Sequence, residues 1–204
     1  KVVEDLIRIN FKTLLAYYYI YKLQICYIHE YYGEAVEHAI NAKEYLENIK
    51  GNILETEWTF YYALSVFKQS SGIVEQQDID LLSGFEKSFE RWAELCPQNF
   101  RARYLIIKGI NAYIHTSFDG AFKNFEEALS YQDESAPTLL KAITLELMGT
   151  CWESRSNWRI AKMYLQEAYT IYYNLKAIAK AKLLFNTQSE LLHREAQIQV
   201  SVTP

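Results

Sequence analysis

The chain has 204 residues, half of them hydrophobic, and a formal net charge of -4. That length and apolar content argue against a disordered chain and suit one sizeable domain or one quasi-linear array. A small net charge, with both signs spread along the chain, gives no electrostatic footprint for nucleic acid.

Only 7 Gly and 3 Pro occur, which favours long helices over a many-turned β fold. Cys26, Cys96 and Cys151 are odd in number and far apart, and no N-x-S/T acceptor occurs. A reduced, cytoplasmic chain is expected. The richest apolar run, from Leu14 through Ile28, is too short and interrupted for a membrane span and lacks the layout of a signal peptide. The first residue is Lys1, so the chain reads as an excised or processed piece.

Residues 3–30 are helix-periodic and contain no Gly or Pro. Leu6, Ile9, Leu14, Tyr18, Tyr21 and Ile28 can share a broad apolar face. The tyrosines at 17–19 are too apolar for a single stripe, so packing on more than one side is expected. Gly33 ends or turns this helix. A second follows from Glu34 to about Ile49, with Ala35, Ala39 and Ala42 spaced for close packing. Gly51 suits a left-handed helix end, and Asn52 can cap the next helix. Residues 53–69 form that third helix, anchored by Trp58, Tyr62, Val66 and Phe67. Gln69 to Gln77 reads as a loop. Asp78 or Asp80 caps a fourth helix running to Leu95, with Phe85, Phe89 and Trp92 on one face and Pro97 closing it.

Beyond Arg101 the chain says nearly the same thing twice. Leu105 to Ser130 reads LIIKGINAYIHTSFDGAFKNFEEALS, and Leu145 to Thr170 reads LELMGTCWESRSNWRIAKMYLQEAYT. Gly109 matches Gly149, Ala121 matches Ala161, Phe125 matches Leu165 and Ala128 matches Ala168, all 40 residues apart. A fixed period in this range is the mark of stacked helical hairpins. The glycines let the first helix of each copy approach the small residues of the second. Ser117, Asp119 and Gly120, and then Ser154, Ser156 and Asn157, supply the turns and N-caps. Pro137 suits the first turn of the helix after the DESAP linker. A last helix covers about Ile178 to Gln197. The expected fold is all-α, a tetratricopeptide-like α-solenoid of about four hairpins plus a closing helix, nine major helices in all. Residues 1–197 form the helical-repeat domain and 198–204 a tail or linker.

The pattern of Gly109, Ala121, Phe125 and Ala128 resembles the tetratricopeptide repeat, although the period exceeds the usual ~34 residues and the terminal proline is missing. A closer resemblance covers almost the whole chain. Tyr21–Leu46, Phe89–Ile110 and Arg159–Leu184 resemble a helical-repeat region of very large multidomain signalling kinases. The distinctive words are W-A-x-x-C-P-x-N-F from Trp92 and A-x-x-Y-L-Q-E-A-x-x-x-Y from Ala161. In that family a serine/threonine kinase-like domain and a predicted P-loop ATPase precede the repeats, and GAF and histidine-kinase segments follow. The resemblance implies a region of a two-component-type signalling protein. It implies no reaction, because the kinase and ATPase motifs are absent here.

No G-x-x-x-x-G-K-[ST] or G-x-G-x-x-G cradle occurs. His29-Glu30 begins like a zinc-protease helix, but Gly33 stands where the second His is needed. Cys26, His29 and His38 do not make a full ligand set. Cys151 reads as a buried inert thiol, and Lys176, Lys180 and Lys182 as a solvated basic surface. The 17 tyrosines suit packing more than a partner groove. No catalytic residue, metal or cofactor is expected.

The expected function is therefore non-enzymatic: a regulatory segment of a large cytoplasmic signalling kinase, meeting a protein segment or neighbouring domains of the same polypeptide, with no nucleic acid and no membrane. An independent peptide-binding scaffold and a small-molecule sensor are the alternatives. In a right-handed stack the first helix of each hairpin lines the concave side. The expected partner face takes Tyr17, Ile20, Gln24 and Tyr27 from the first helix and Phe60 and Leu64 from the third. Arg103, Ile106, Ile110 and Tyr113 continue it, and Glu146, Thr150 and Glu153 form its acidic end.

Overall fold

The computed structural model describes residues 2–70, 73–132 and 136–187. Among these the chain is all-helical, with no strand. The elements are α1 (Val2–Arg8), α2 (Lys12–Ile28), α3 (Tyr32–Lys43), a 3-10 turn (Leu46–Ile49), α4 (Ile53–Gln69), α5 (Gln76–Leu95), α6 (Pro97–Ile114), α7 (Phe118–Ser130), α8 (Leu139–Ser154) and α9 (Trp158–Asn174). A tenth helix, α10, runs from 178 to the last described residue, 187. The remainder of the expected closing helix and the expected tail lie outside the described residues. The chain forms two compact units, Lys1–Thr116 and Ser117–Pro204.

The first expected helix is two helices. Asn10 takes a left-handed φ of 53°. Its N–H donates to the Ile7 carbonyl at 3.0 Å, and the Phe11 N–H donates to the Leu6 carbonyl at 3.0 Å. These two bonds terminate a helix by satisfying its last carbonyls. Neither Gly nor Pro is needed, which is why the break was not visible in the composition. Glu30, Ser156 and Lys176 make the same pair of bonds, and Thr116 makes the first of them. The helix-to-helix turns at these five places are thus built without glycine.

The expected face of the first helix is not the buried one: Leu6, Tyr18 and Ile28 are half-buried. Ile9, Leu14 and Tyr21 are exposed, whereas Leu15, Ala16, Ile20, Leu23, Cys26 and Tyr27 are buried. With apolar residues all round, periodicity could not choose between the two sides. The second helix stops early, at Lys43, and a 3-10 turn carries the chain on to Gly51, which adopts φ 78°. Asn52 caps α4 as expected, its Oδ1 accepting from the Leu54 N–H at 3.0 Å. Helix α5 starts at Gln76 with Glu75 at the cap position, so Asp78 and Asp80 lie inside it. Pro97 opens α6 rather than closing its predecessor, the helical position where a missing N–H costs least. Pro137 precedes the cap residue Thr138, whose hydroxyl accepts from the Lys141 N–H at 3.1 Å.

Helix α4 is the centre of the first unit. Every residue from Trp58 to Phe67 is buried. Trp58 Nε1 donates to the Ala39 carbonyl of α3 at 2.8 Å. Tyr61 meets Tyr27 of α2 edge-on at 5.5 Å, and Phe60 meets Phe89 of α5 at 6.0 Å. Phe67 meets Tyr113 of α6 at 5.7 Å. A helix enclosed in this way must satisfy its polar side chains internally. Thr56, Thr59 and Ser65 do so by donating to carbonyls of the preceding turn at 2.7, 2.9 and 2.7 Å.

In the second unit α8 packs against α9. A Cβ built on Gly149 would meet Leu165 Cγ at 2.7 Å and the Ala161 carbonyl oxygen at 3.3 Å. That is the close approach expected from the repeat, with Ala161, Leu165 and Ala168 all buried. Asn157 caps α9, its Oδ1 accepting from the Ile160 N–H at 3.4 Å. Ser117 sits at the corresponding place before α7 but makes no side-chain cap bond.

Gly149→Leu should lower the urea midpoint by the equivalent of about 1–3 kcal/mol, the usual cost of overpacking a tight contact; an unchanged midpoint would contradict the observed approach. Ser156→Gly should raise it by about 0.5–1 kcal/mol, left-handed strain relieved less the added freedom of the unfolded chain. A lowered midpoint for that variant would show that the turn is held by the serine itself.

Candidate functional site

The residues of the expected partner face divide by burial. Ile20, Tyr27, Phe60, Leu64, Ile106, Ile110 and Glu146 are buried, each no more than 3% exposed. They belong to the interior of their units and offer no open surface. Tyr17, Gln24, Arg103, Tyr113, Thr150 and Glu153 are half-buried. Alignment of the repeats placed these positions on one stripe of each first helix, but it did not reveal that α4 is covered on that stripe too.

Gln24 and Arg103 are brought together by a residue that the sequence reading passed over. Glu57 of α4 accepts from Gln24 Nε2 at 3.0 Å and from the Arg103 guanidinium at 2.6 Å. The same guanidinium lies 5.6 Å from the Phe60 ring centre. This half-buried network ties α2, α4 and α6 together. Beside it, burial pushes the Tyr61 hydroxyl well above its ordinary range, the Glu57 charge adds to that and Arg103 opposes it. Tyr61 is therefore a neutral phenol at any working pH.

Glu146 is the second correction. It was expected at the acidic end of an open face, and Lys180 was expected on a solvated basic surface. Instead Lys180 Nζ donates to Glu146 Oε1 at 2.8 Å, with side chains 1% and 4% exposed. Tyr172 donates its hydroxyl to Glu146 Oε2 at 3.0 Å. The Lys180 ammonium also lies 5.7 Å from the Tyr172 ring centre. The triad locks α10 to α8 and α9. Only the other two lysines of the expected patch, Lys176 and Lys182, are exposed.

Exposed apolar residues gather on α2, among them Leu14 and Tyr21 of the expected apolar face. Leu14, Tyr21 and Ile25 of α2 are at least 38% exposed and, at spacings of seven and four, share one side of the helix. A separate cleft of about 620 Å3 opens in the first unit, with Val36, Ile40, Tyr62 and Val66 in its lining. Tyr27, Tyr61, Tyr62, Tyr104 and Tyr172 are buried, so these tyrosines pack in the core. Cys26 and Cys151 are buried thiols, and burial pushes Cys26 up. Burial holds His38 below its ordinary value, Lys22 assisting and Glu34 and Glu37 opposing. Among the described residues no group of three or more His, Cys, Asp or Glu is placed to hold a metal ion. Among them too, no helix is long and apolar enough to cross a membrane.

No family model matches this chain, and no curated protein or solved structure matches it significantly.

Lys180→Met should destabilise the second unit by about 3–5 kcal/mol, because it leaves a carboxylate buried without its cation. Adding Glu146→Gln should recover most of that loss, since a neutral amide still accepts from Tyr172. Equal urea midpoints for the single and double variants would show that the buried charge is not what the lysine balances.

Proposed function

We propose that the chain is a non-enzymatic interaction segment of a large cytoplasmic signalling kinase. In this reading it is a tetratricopeptide-like helical-repeat region that receives a protein segment or a neighbouring domain of the same polypeptide. The observation that carries the proposal is the 40-residue period, an interval that the helix boundaries also keep. Helices α6 and α8 end at Ile114 and Ser154, and α7 and α9 begin at Phe118 and Trp158. The left-handed turn residues, Thr116 and Ser156, keep the same interval. A chain that repeats one helix–turn–helix unit is building surface by stacking.

Two further features support an interaction role. The stripe of Leu14, Tyr21 and Ile25 is apolar and open to solvent, which suits a protein contact. Tyr113 and Glu153 remain half-exposed at the expected partner positions. The kinase setting rests on the resemblance of Tyr21–Leu46, Phe89–Ile110 and Arg159–Leu184 alone.

The test is a titration of the chain with the domains encoded on either side of it in its reading frame. Ile25→Asp, Tyr113→Ala and Glu153→Lys are compared with wild type after circular dichroism has shown that each is folded. At least one variant is expected to weaken binding about tenfold, as loss of an interface anchor does. Wild-type affinity in all three, or flanking sequence without kinase or ATPase motifs, would sink the reading.

A further inference from the structure

The 620 Å3 cleft of the first unit has the size of a small-ligand pocket, for which ~300–1,000 Å3 is usual. Val36 and Ile40 of α3, Val66 of α4 and Leu81 of α5 supply apolar lining. Among the described residues its charged groups are Glu75 and Asp78, at the start of α5, and no Lys, Arg or His lines it.

Two polar groups here lack partners. Tyr62 is 8% exposed, and its hydroxyl makes no hydrogen bond among the described residues. The Asp78 carboxylate has neither an ion pair nor a side-chain hydrogen bond among them. Glu75, by contrast, accepts from Gln77 Nε2 at 2.8 Å. Asp78 is half-buried, and neither its carboxylate nor the Tyr62 hydroxyl is among the sealed atoms without a partner, so both can reach a ligand in the cleft. Negative charge is also under-compensated. Burial and then Glu75 raise the Asp78 carboxyl, and burial and then Asp78 raise the Tyr62 hydroxyl. The Tyr62 ring is held in place by Trp58 and Phe85, each at 5.4 Å between ring centres. A carboxylate and a phenol hydroxyl lining one cleft favour an ammonium donor over an anion.

We propose that this cleft binds a small alkylammonium ion, with its ammonium group between Asp78 and Tyr62 and its hydrocarbon body along Val36, Ile40 and Val66. Anions are repelled by Glu75 and Asp78. A neutral apolar ligand would leave Asp78 and Tyr62 unmatched. A divalent metal ion would find only two carboxylates, fewer than its oxygen shell needs. This site is independent of the partner-binding reading above.

The experiment is isothermal titration of the full chain with hexylammonium chloride, alongside hexanol and calcium chloride. Hexylammonium is expected to saturate one site per chain, and hexanol to bind at least about tenfold more weakly, as loss of a charge-assisted hydrogen bond implies. Asp78→Asn should weaken hexylammonium about tenfold and Tyr62→Phe by a smaller factor, with circular dichroism and urea midpoints confirming that both variants fold. Tyr62→Phe keeps the ring and removes only the hydroxyl, so it reads the ligand contact without opening the core. No saturable hexylammonium binding, equal binding of hexanol, calcium binding in its place, or an undiminished affinity in Asp78→Asn would each overturn the proposal.

Discussion

From Trp58 to Phe67 every residue of helix α4 is buried, and the first unit is arranged around that fact. From Trp58 to Phe67 the chain alternates aromatic, aliphatic and small residues without a polar face. Such a helix is stable only when enclosed, because the hydrophobic gain grows with the apolar area removed from water. Helices α2, α3, α5 and α6 all touch it. The hydroxyls of Thr56, Thr59 and Ser65 then turn back onto the preceding turn. Among the described residues, Trp58 is the one residue in this run that donates outward to another helix, and its bond to Ala39 fixes α3 in register.

The turns that bring the helices back onto one another share a conformation. Asn10, Glu30, Thr116, Ser156 and Lys176 all have φ between 53° and 66°. None is glycine, so each carries some strain, most of all the β-branched Thr116. The strain is tolerated because the turn saturates helix carbonyls that would otherwise lack donors. Strain held by hydrogen bonds is a local device, found at the Thr116 and Ser156 positions of the 40-residue interval and equally at Asn10, Glu30 and Lys176.

Buried charge is used in two ways. Glu57 sits half-buried where three helices meet and is matched by one neutral and one cationic donor. Glu146 is enclosed and is matched by Lys180 and Tyr172. A well-packed apolar group would stabilise such a place as well or better. What the ion pair adds is selectivity of register: α10 can dock with Lys180 inward and in few other ways. The cleft beside α4 differs: its Asp78 carboxylate is half-buried and opens toward the cleft with the Tyr62 phenol.

The sequence by itself determined the helical class, the 40-residue period, the cap at Asn52, the left-handed Gly51 and the close contact at Gly149. All of these rest on local rules: spacing of small residues, capping chemistry and the freedom of glycine. It did not determine which side of an all-apolar helix faces inward, so Leu14 and Tyr21 were read as core and lie exposed. It did not determine that α4 is covered on every side from Trp58 to Phe67, so Phe60 and Leu64 were read as open surface. Nor could it pair Glu146 with Lys180, 34 residues away. Orientation, coverage and long-range charge pairing are decided when several elements compete for the same apolar area, and only the tertiary structure holds the outcome of that competition.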